Sequence, residues 1–252
     1  MRSIALLCVV LSVQLVGGPP AVLPEDAAAR LAQSLKHARS HTDHVWRDTG
    51  ALNADGTLNA YVEISRGDRR KWEYDMQRNE RAIDRVLPRD VGGYPVNYGF
   101  VPQTISYDGD PLDVLVLGPV IPGGSLVRGV IVGLMHMEDE KGLDSKVVIS
   151  RVGPHGRALD RLTSADRSRI GDYFERYKLH EPGTFSNVGG WGTPAQGLAF
   201  VDSTHRFFRE CRDVLRGPCR LTGKQPSSSA TAWASRRRAR LACSPSASRV
   251  SS

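Results

Sequence analysis

The chain has 252 residues, of which 40% are hydrophobic and 24% charged. This composition is typical of a globular protein and leaves room for one core of fair size. The net charge of +7 is concentrated in residues 216–252, which carry seven arginines, one lysine and no acidic residue, so the rest of the chain sums to −1. The basic overall composition is therefore no indication of a nucleic-acid-binding fold, and the tail, which has no apolar periodicity, is predicted to be disordered.

Residues 1–20 have the pattern of a signal peptide. Arg2 precedes an apolar run over residues 4–16, and glycine and proline end the run at residues 17–20. The run is too short to span a bilayer comfortably. We therefore expect an exported protein, periplasmic or secreted, with no stable membrane insertion after cleavage. A buried strand or an uncleaved anchor is the alternative, and without a signal the protein would be cytoplasmic.

Residues 21–50 form an Ala-rich N-terminal extension in which a helix over about 27–38 is expected and no chemistry is predicted. The main domain is assigned to residues 51–215. Its first half contains short apolar or alternating runs typical of strands. These predicted strands cover residues 58–64, 71–75, 82–87, 112–117, 126–136 and 146–152. Many short strands separated by Gly and Pro favour a small barrel or sandwich.

After residue 157 the hydrophobic period becomes helical. Ser164 is predicted to cap a first helix with Ile170, Phe174 and Tyr177 on one face. Pro194 is predicted as the first residue of a second helix. The inner face of that helix is expected to hold Leu198, Val201, His205 and Phe208. The predicted class is α+β, a β barrel followed by two helices.

An acidic turn precedes the predicted strand at 112–117. Asp108, Asp110 and Asp113 fall within six positions, Gly109 permits a tight turn and Pro111 stiffens it. Hard cations such as Mg²⁺ take carboxylate ligands together with substrate phosphates. The turn is therefore a candidate metal site, although Asp and Gly are also common in solvated hairpin turns.

The acidic run resembles the signature of the soluble family I inorganic pyrophosphatases. Six further segments resemble motifs of that family, in its order and near its spacings, between about Ala60 and Phe208. They are Glu63, Lys71–Asp75, Asp84-Arg85, Tyr94–Phe100, Met137–Lys146 and Tyr177-Lys178. The resemblance implies an OB-like five-stranded β barrel flanked by two or more helices, and hydrolysis of pyrophosphate.

The resemblance also implies the role of each acidic residue. Asp110 would accept the proton of the attacking water, and Glu63 would order water around the metals. The metal ligands would be Asp108, Asp113, Asp144, Asp139 and Glu73. The implied cofactor is Mg²⁺, with two or more ions and with Mn²⁺ or other divalent ions as alternatives.

The implied substrate-binding residues are cationic or phenolic. They are Lys71, Arg85, Tyr98, Lys146, Tyr177 and Lys178. Arg offers a planar fork to phosphate oxygens, and Lys acts as a point charge.

A homo-oligomer is expected, but Asp172 and Arg176 stand where some bacterial relatives have histidines at a trimer contact, so a hexamer is not implied. No nucleic-acid partner is expected. Two competing hypotheses are a non-catalytic OB-type module that binds single-stranded nucleic acid and a Ca²⁺-binding structural protein. Cys211 and Cys219 could pair in an oxidising compartment or remain unpaired thiols.

Overall fold

The computed structural model describes residues 29, 30, 33 and 42–213. The predicted signal peptide, most of the helix expected at 27–38, and the basic tail lie outside these residues. Ala29, Arg30 and Gln33 are helical. Cys211 is disulfide-bonded, and its partner lies outside the described residues.

Besides the helical residues 29, 30 and 33, the described part of the chain contains nine strands and three α-helices. The strands are β1 (Leu58–Ile64), β2 (Arg70–Asp75), β3 (Glu80–Val86), β4 (Asn97–Phe100), β5 (Asp113–Leu117), β6 (Leu126–Asp139), β7 (Gly142–Leu143), β8 (Lys146–Arg151) and β9 (Ser186–Gly192). The α-helices are α1 (Val45–Asp48), α2 (Ser164–Arg176) and α3 (Pro194–Asp213), and a 3₁₀ turn covers Pro154–Gly156. No helix among the described residues has the length and apolar character needed to cross a membrane.

Five strands close into a ring in the order β1-β4-β5-β8-β6, because β6 also pairs with β1. Only the β5–β8 pair is parallel, and the other four pairs are antiparallel. This is the predicted OB-like five-stranded barrel, and the α+β class is confirmed. Closure requires Gly99, because a Cβ there would lie 1.8 Å from the carbonyl oxygen of Tyr61 on β1.

The sequence pattern missed β4 and β9, and also the two-residue strand β7. Strand β4 has four residues, one of them Gly99, so it shows no alternation that a pattern could detect. Strand β9 contains three glycines, which disfavour strands, and it is extended because it pairs with β6 between Leu134 and Asp139. In both cases the barrel supplies the hydrogen-bonding partner that the local sequence does not predict.

Helix α2 begins at Ser164, but its N-cap is Thr163, so the predicted cap was wrong by one residue. Thr163 Oγ1 accepts a hydrogen bond from Asp166 N at 3.1 Å. The Asp166 carboxylate in turn accepts one from Thr163 N at 3.2 Å, which completes a capping box. Ile170, Phe174 and Tyr177 are buried as predicted.

Helix α3 begins at Pro194 as predicted, and its inner face includes Val201 and Phe208. Leu198, predicted to be inward, is 42% exposed. The face that packs on the barrel is rotated from the predicted one, and its buried members are Phe200, Val201, Ser203, Thr204, Phe207, Phe208 and Cys211.

Helix α1, which precedes the first barrel strand in sequence, contributes Trp46 to the core. The Trp46 side chain is fully buried, its ring lies 5.1 Å from that of Phe208, and its indole N–H donates to Thr104 O at 2.9 Å. The segment before the first strand is therefore packed against α3.

Candidate active site

The acidic turn between β4 and β5 is held by backbone hydrogen bonds. Ser106 N donates to Asp110 O at 2.7 Å, and Asp110 N donates to the Asp108 carboxylate at 3.1 Å. Gly109 has φ of +87°, a conformation that glycine adopts without strain. The turn therefore orients Asp108, Asp110 and Asp113 toward one side.

That side opens into a cavity of about 370 Å³ at the end of the barrel. Twelve of the thirteen residues that the sequence assigned to a site line it. They are Glu63, Lys71, Glu73, Arg85, Tyr98, Asp108, Asp110, Asp113, Asp139, Asp144, Tyr177 and Lys178. These residues come from strands, turns and the end of α2, so only the fold brings them together.

The thirteenth residue, Lys146, lies behind the cavity wall. The register of β5 and β8 pairs Val114 with Val147, so Asp113 and Lys146 lie side by side at the start of the two strands. The Lys146 ammonium contacts Asp113 Oδ2 at 2.5 Å and Asp144 Oδ1 at 2.8 Å. Burial opposes its charge, but the two carboxylates outweigh burial and raise the pKa of Lys146.

Three carboxyl groups of the cavity also have raised pKa values, which favour their neutral form. Burial, with repulsion from Asp108, raises the pKa of Asp110 to about 7. Burial also raises the pKa of Asp144 to about 8, despite its contact with Lys146. The pKa of Asp108 is raised by burial and by the charge of Asp113. At these three carboxyl groups the neighbouring cations do not offset desolvation and the repulsion from nearby carboxylates.

This donor set has the chemistry of a hard-cation site. Buried carboxylates that raise one another's pKa are stabilised by a divalent ion, which prefers oxygen ligands. Among the described residues no three His, Cys, Asp or Glu side chains converge within coordinating distance, and the cation between Asp113 and Asp144 is Lys146. The residues fit a divalent metal ion by charge and donor type.

Cationic side chains also line the cavity. Lys178 contacts Asp139 at 2.8 Å and Glu140 at 2.9 Å. Arg85 contacts Asp84 and Glu181, each at 2.5 Å, while its Nε is buried and has no hydrogen-bond partner among the described residues. An unpartnered buried N–H is costly, so Arg85 Nε is a donor suited to an oxygen of a bound ligand.

Lys71, Tyr98 and Tyr177 also line the cavity. Lys71 forms ion pairs with Glu73 and with Asp84. Burial raises the pKa of Tyr98 and of Tyr177 well above the ordinary value. Both phenols are therefore neutral near pH 7 and can donate an O–H to a phosphate oxygen.

Glu63 lies on β1 at the edge of the cavity. Its carboxyl group accepts a hydrogen bond from Tyr74 N at 2.7 Å, and burial raises its pKa to about 8. A carboxyl group in this environment can exchange hydrogen bonds with water at the cavity edge.

Sequence reasoning missed four charged residues of the cavity lining: Arg30, Glu140, Lys141 and Glu181. Glu140 and Lys141 lie within a segment that the resemblance covers, so their neighbourhood could have been found. Glu181 follows α2 in a turn, and Arg30 belongs to an extension where no chemistry was expected. No local pattern marks either of the latter two.

Comparison with known proteins agrees with this geometry. The chain is 37% identical over 151 residues to the inorganic pyrophosphatase of Sulfolobus acidocaldarius. The aligned region covers 57% of this chain and 87% of that protein. The relative from Saccharolobus solfataricus is 38% identical with the same coverage. The crystal structure of the inorganic pyrophosphatase of Thermus thermophilus superposes with a TM-score of 0.61 at 32% identity, covering 66% of this chain and 99% of that one. Because the family model described as inorganic pyrophosphatase matches residues 60–209, the chain belongs to the inorganic pyrophosphatase family.

Proposed function

We propose that this chain is a Mg²⁺-dependent enzyme that hydrolyses inorganic pyrophosphate to two phosphates in the acidic cavity. One observation carries the proposal. Twelve of the thirteen residues implied by the family resemblance line one cavity of about 370 Å³, and the thirteenth, Lys146, contacts two of them. The cavity combines carboxylates suited to metal ions with cations and phenols suited to phosphate.

The metal ligands would be Asp108, Asp113 and Asp144, with Asp139 and Glu73 serving further ions. When bound, divalent ions neutralise phosphate oxygens and lower the pKa of a water molecule toward neutrality. Lys146 contacts two of these carboxylates, and it would hold them in place and share their charge.

Asp110 would act as the general base. It lies in the cavity next to Asp108, and its backbone N–H, rather than its carboxylate, fixes the turn. As the water oxygen forms a bond to phosphorus, the carboxylate of Asp110 accepts the proton. The bond from phosphorus to the bridging oxygen breaks, and the second phosphate leaves with that oxygen.

The cations would hold the two phosphate groups. Arg85 Nε offers its unpartnered N–H, while Lys71 and Lys178 supply point charges, because phosphoryl transfer depends mainly on positioning and charge stabilisation. Tyr98 and Tyr177 would donate O–H groups to the leaving phosphate. Glu63 would order water at the edge.

The nucleic-acid-binding hypothesis is not favoured. A single strand would meet buried carboxylates in the cavity, which repel phosphodiesters, whereas modules of that kind present a basic groove with stacking aromatics. Family membership also supports pyrophosphate as the substrate.

Phosphate release tests the proposal. Full-length protein treated with a chelator should release no phosphate from pyrophosphate, and adding Mg²⁺ should restore turnover. Asp113→Ala should remain nearly inactive at the same Mg²⁺ concentration, while Asp172→Asn on the exposed face of α2 should behave as the unchanged protein. Absence of Mg²⁺-dependent release, together with metal-free binding of an oligonucleotide, would refute the proposal.

We also propose export through residues 1–20, on the basis of their signal-like pattern. Expression of the full-length chain followed by N-terminal sequencing of the extracytoplasmic fraction tests it. An intact residue 1 in protein recovered from the cytoplasm would contradict it.

A further inference from the structure

The N-terminal extension contributes one residue to the cavity. Arg30 is helical and lines the cavity that holds Asp108, Asp110 and Lys141. It precedes residue 60, where the match to the family model begins. Arg30 is therefore outside the part of the chain that family membership explains.

Arg30 is positioned through the backbone of the acidic turn. Its Nη2 donates to the carbonyl oxygen of Asp108 at 3.2 Å. Because the acceptor is the carbonyl oxygen, the carboxylate of Asp108 is left for other partners. The guanidinium group is also close enough to the Asp110 carboxylate for an electrostatic interaction.

Among the described residues Arg30 forms no ion pair, in contrast to most cations in or beside the cavity. Three cations of the cavity lining and the adjacent Lys146 each contact at least one carboxylate. They are Lys71, Arg85, Lys146 and Lys178. Within the described part of the chain, Arg30 and Lys141 are the cations of the cavity that form no ion pair. An arginine has five N–H donors. Among the described residues, hydrogen bonds are accepted from only one nitrogen of Arg30, Nη2.

An added anion would find these donors beside the acidic turn. The carboxylates in this part of the cavity would attract metal ions, and a phosphate group bound to such ions would lie near Arg30. Guanidinium groups match phosphate oxygens with two parallel N–H donors. A guanidinium that is fixed by one backbone hydrogen bond, and whose other nitrogens donate to none of the described residues, suits this use.

We propose that Arg30 is a substrate-binding residue, which contacts a phosphate group of pyrophosphate or of the product phosphate from the N-terminal side of the cavity. The inference rests on the proposed pyrophosphatase activity. By this inference the N-terminal extension supplies a substrate contact that residues 60–209, the region matched by the family model, do not supply.

The test uses full-length protein carrying Arg30→Ala, Arg30→Gln or Arg30→Lys. Arg30→Gln keeps an N–H donor for the carbonyl oxygen of Asp108 but removes the charge, whereas Arg30→Lys keeps the charge. Arg78→Ala, at a side chain that is 71% exposed in the turn between β2 and β3, is the matched control. KM and kcat for pyrophosphate are measured with Mg²⁺, and the Kd of methylenediphosphonate, which cannot be hydrolysed, is measured by calorimetry.

We expect Arg30→Ala and Arg30→Gln to raise KM and the Kd of the analogue about tenfold or more, since each loses a charge-assisted hydrogen bond. Arg30→Lys should recover most of the affinity, and Arg78→Ala should change neither value. A change in KM with little change in kcat is the mark of binding that is equal in the ground and transition states.

Failure of the proposed function and failure of the Arg30 inference give different results. If the unchanged protein releases no phosphate from pyrophosphate, the proposed function itself is refuted. If the unchanged protein is active and Arg30→Gln keeps KM and Kd within twofold, the charge of Arg30 does not bind substrate and this inference alone is overturned. An equal loss in Arg78→Ala would also overturn it, because net charge would then explain the effect.

Discussion

Lys146 Nζ lies 2.5 Å from Asp113 Oδ2, at the point where the parallel strands β5 and β8 begin side by side. The lysine side chain is only 1% exposed, and it also contacts Asp144 at 2.8 Å. A buried ammonium group therefore links two carboxylates that would also hold metal ions. Its contribution to stability can be measured in the metal-free protein, and its contribution to catalysis in the protein with Mg²⁺.

Lys146→Met should destabilise the metal-free protein by about 3 kcal/mol, because it leaves two partly buried carboxylates without the buried ammonium group that compensates them. Chemical denaturation in the presence of a chelator measures the free energy of unfolding. Lys141→Met is the control, since Lys141 is exposed and forms no ion pair with the described residues, and it should cost less than about 0.5 kcal/mol. Equal stability of the two variants would show that Lys146 does not compensate the carboxylates.

Asp110→Asn should lower kcat by roughly 10²- to 10⁴-fold, the usual contribution of a general base. The substitution keeps the shape of the side chain but removes the proton acceptor, so Mg²⁺ affinity measured by calorimetry should change little. Asp75→Asn, at the last residue of β2 and outside the cavity lining, should keep kcat. Turnover like that of the unchanged protein in Asp110→Asn would contradict the assigned role.

Asp113→Ala should shift Mg²⁺ activation to much higher concentration. Asp113 is assigned as a metal ligand, and its loss removes one carboxylate from the pair that Lys146 links. Activity and calorimetric titrations with Mg²⁺ measure the shift, and Asp172→Asn again serves as control. An unchanged Mg²⁺ dependence would mean that Asp113 is only a turn residue.

Glu181→Gln should raise KM for pyrophosphate about threefold to tenfold, the equivalent of one hydrogen bond. The Glu181 carboxylate contacts Arg85 at 2.5 Å, and we infer that it orients the guanidinium so that its buried Nε faces the ligand. Glu175→Gln on the exposed face of α2 is the control. If calorimetry finds the same affinity for methylenediphosphonate in both variants, Glu181 does not position Arg85.

The stability of the metal-free protein should fall as pH rises from about 4 to 8. Burial raises the pKa of Glu63 and of Asp144 to about 8 in the folded state, whereas an unfolded carboxyl group has a pKa near 4. In that interval the folded state binds more protons than the unfolded state, so the free energy of unfolding decreases with pH. The contribution of these protonated groups is complete below about pH 4 and is lost as pH approaches 8.

Thermal denaturation with a chelator, across this pH range, measures the effect. Mg²⁺ should increase Tm more at pH 8 than at pH 5, because ionised carboxylates bind the ion. Asp144→Asn should flatten the pH dependence of the metal-free protein. A Tm of the chelated protein that rises between pH 5 and 8 would contradict the prediction.

Short motifs in the sequence identified most of the charged residues of the site. The acidic turn at residues 108–113 and six further segments identified the site residues before any fold was known, and all but Lys146 line the cavity. Strands β1, β5, β6 and β8 were predicted within a few residues, because their apolar patterns are strong. Local chemistry was enough in these cases, since each motif or pattern is contained in a short segment.

Which of these groups come into contact depends on the packing of the whole chain. Strands β4 and β9 form because the barrel provides the strands with which they pair. The buried face of α3 is fixed by its packing on the barrel. The Lys146–Asp113 contact depends on the register of β5 and β8. Arg30 and Glu181 join the cavity through contacts with Asp108 and Arg85, residues distant in sequence. No local pattern could indicate these contacts, because hydrogen bonds and ion pairs between remote segments depend on chain closure rather than on neighbouring residues.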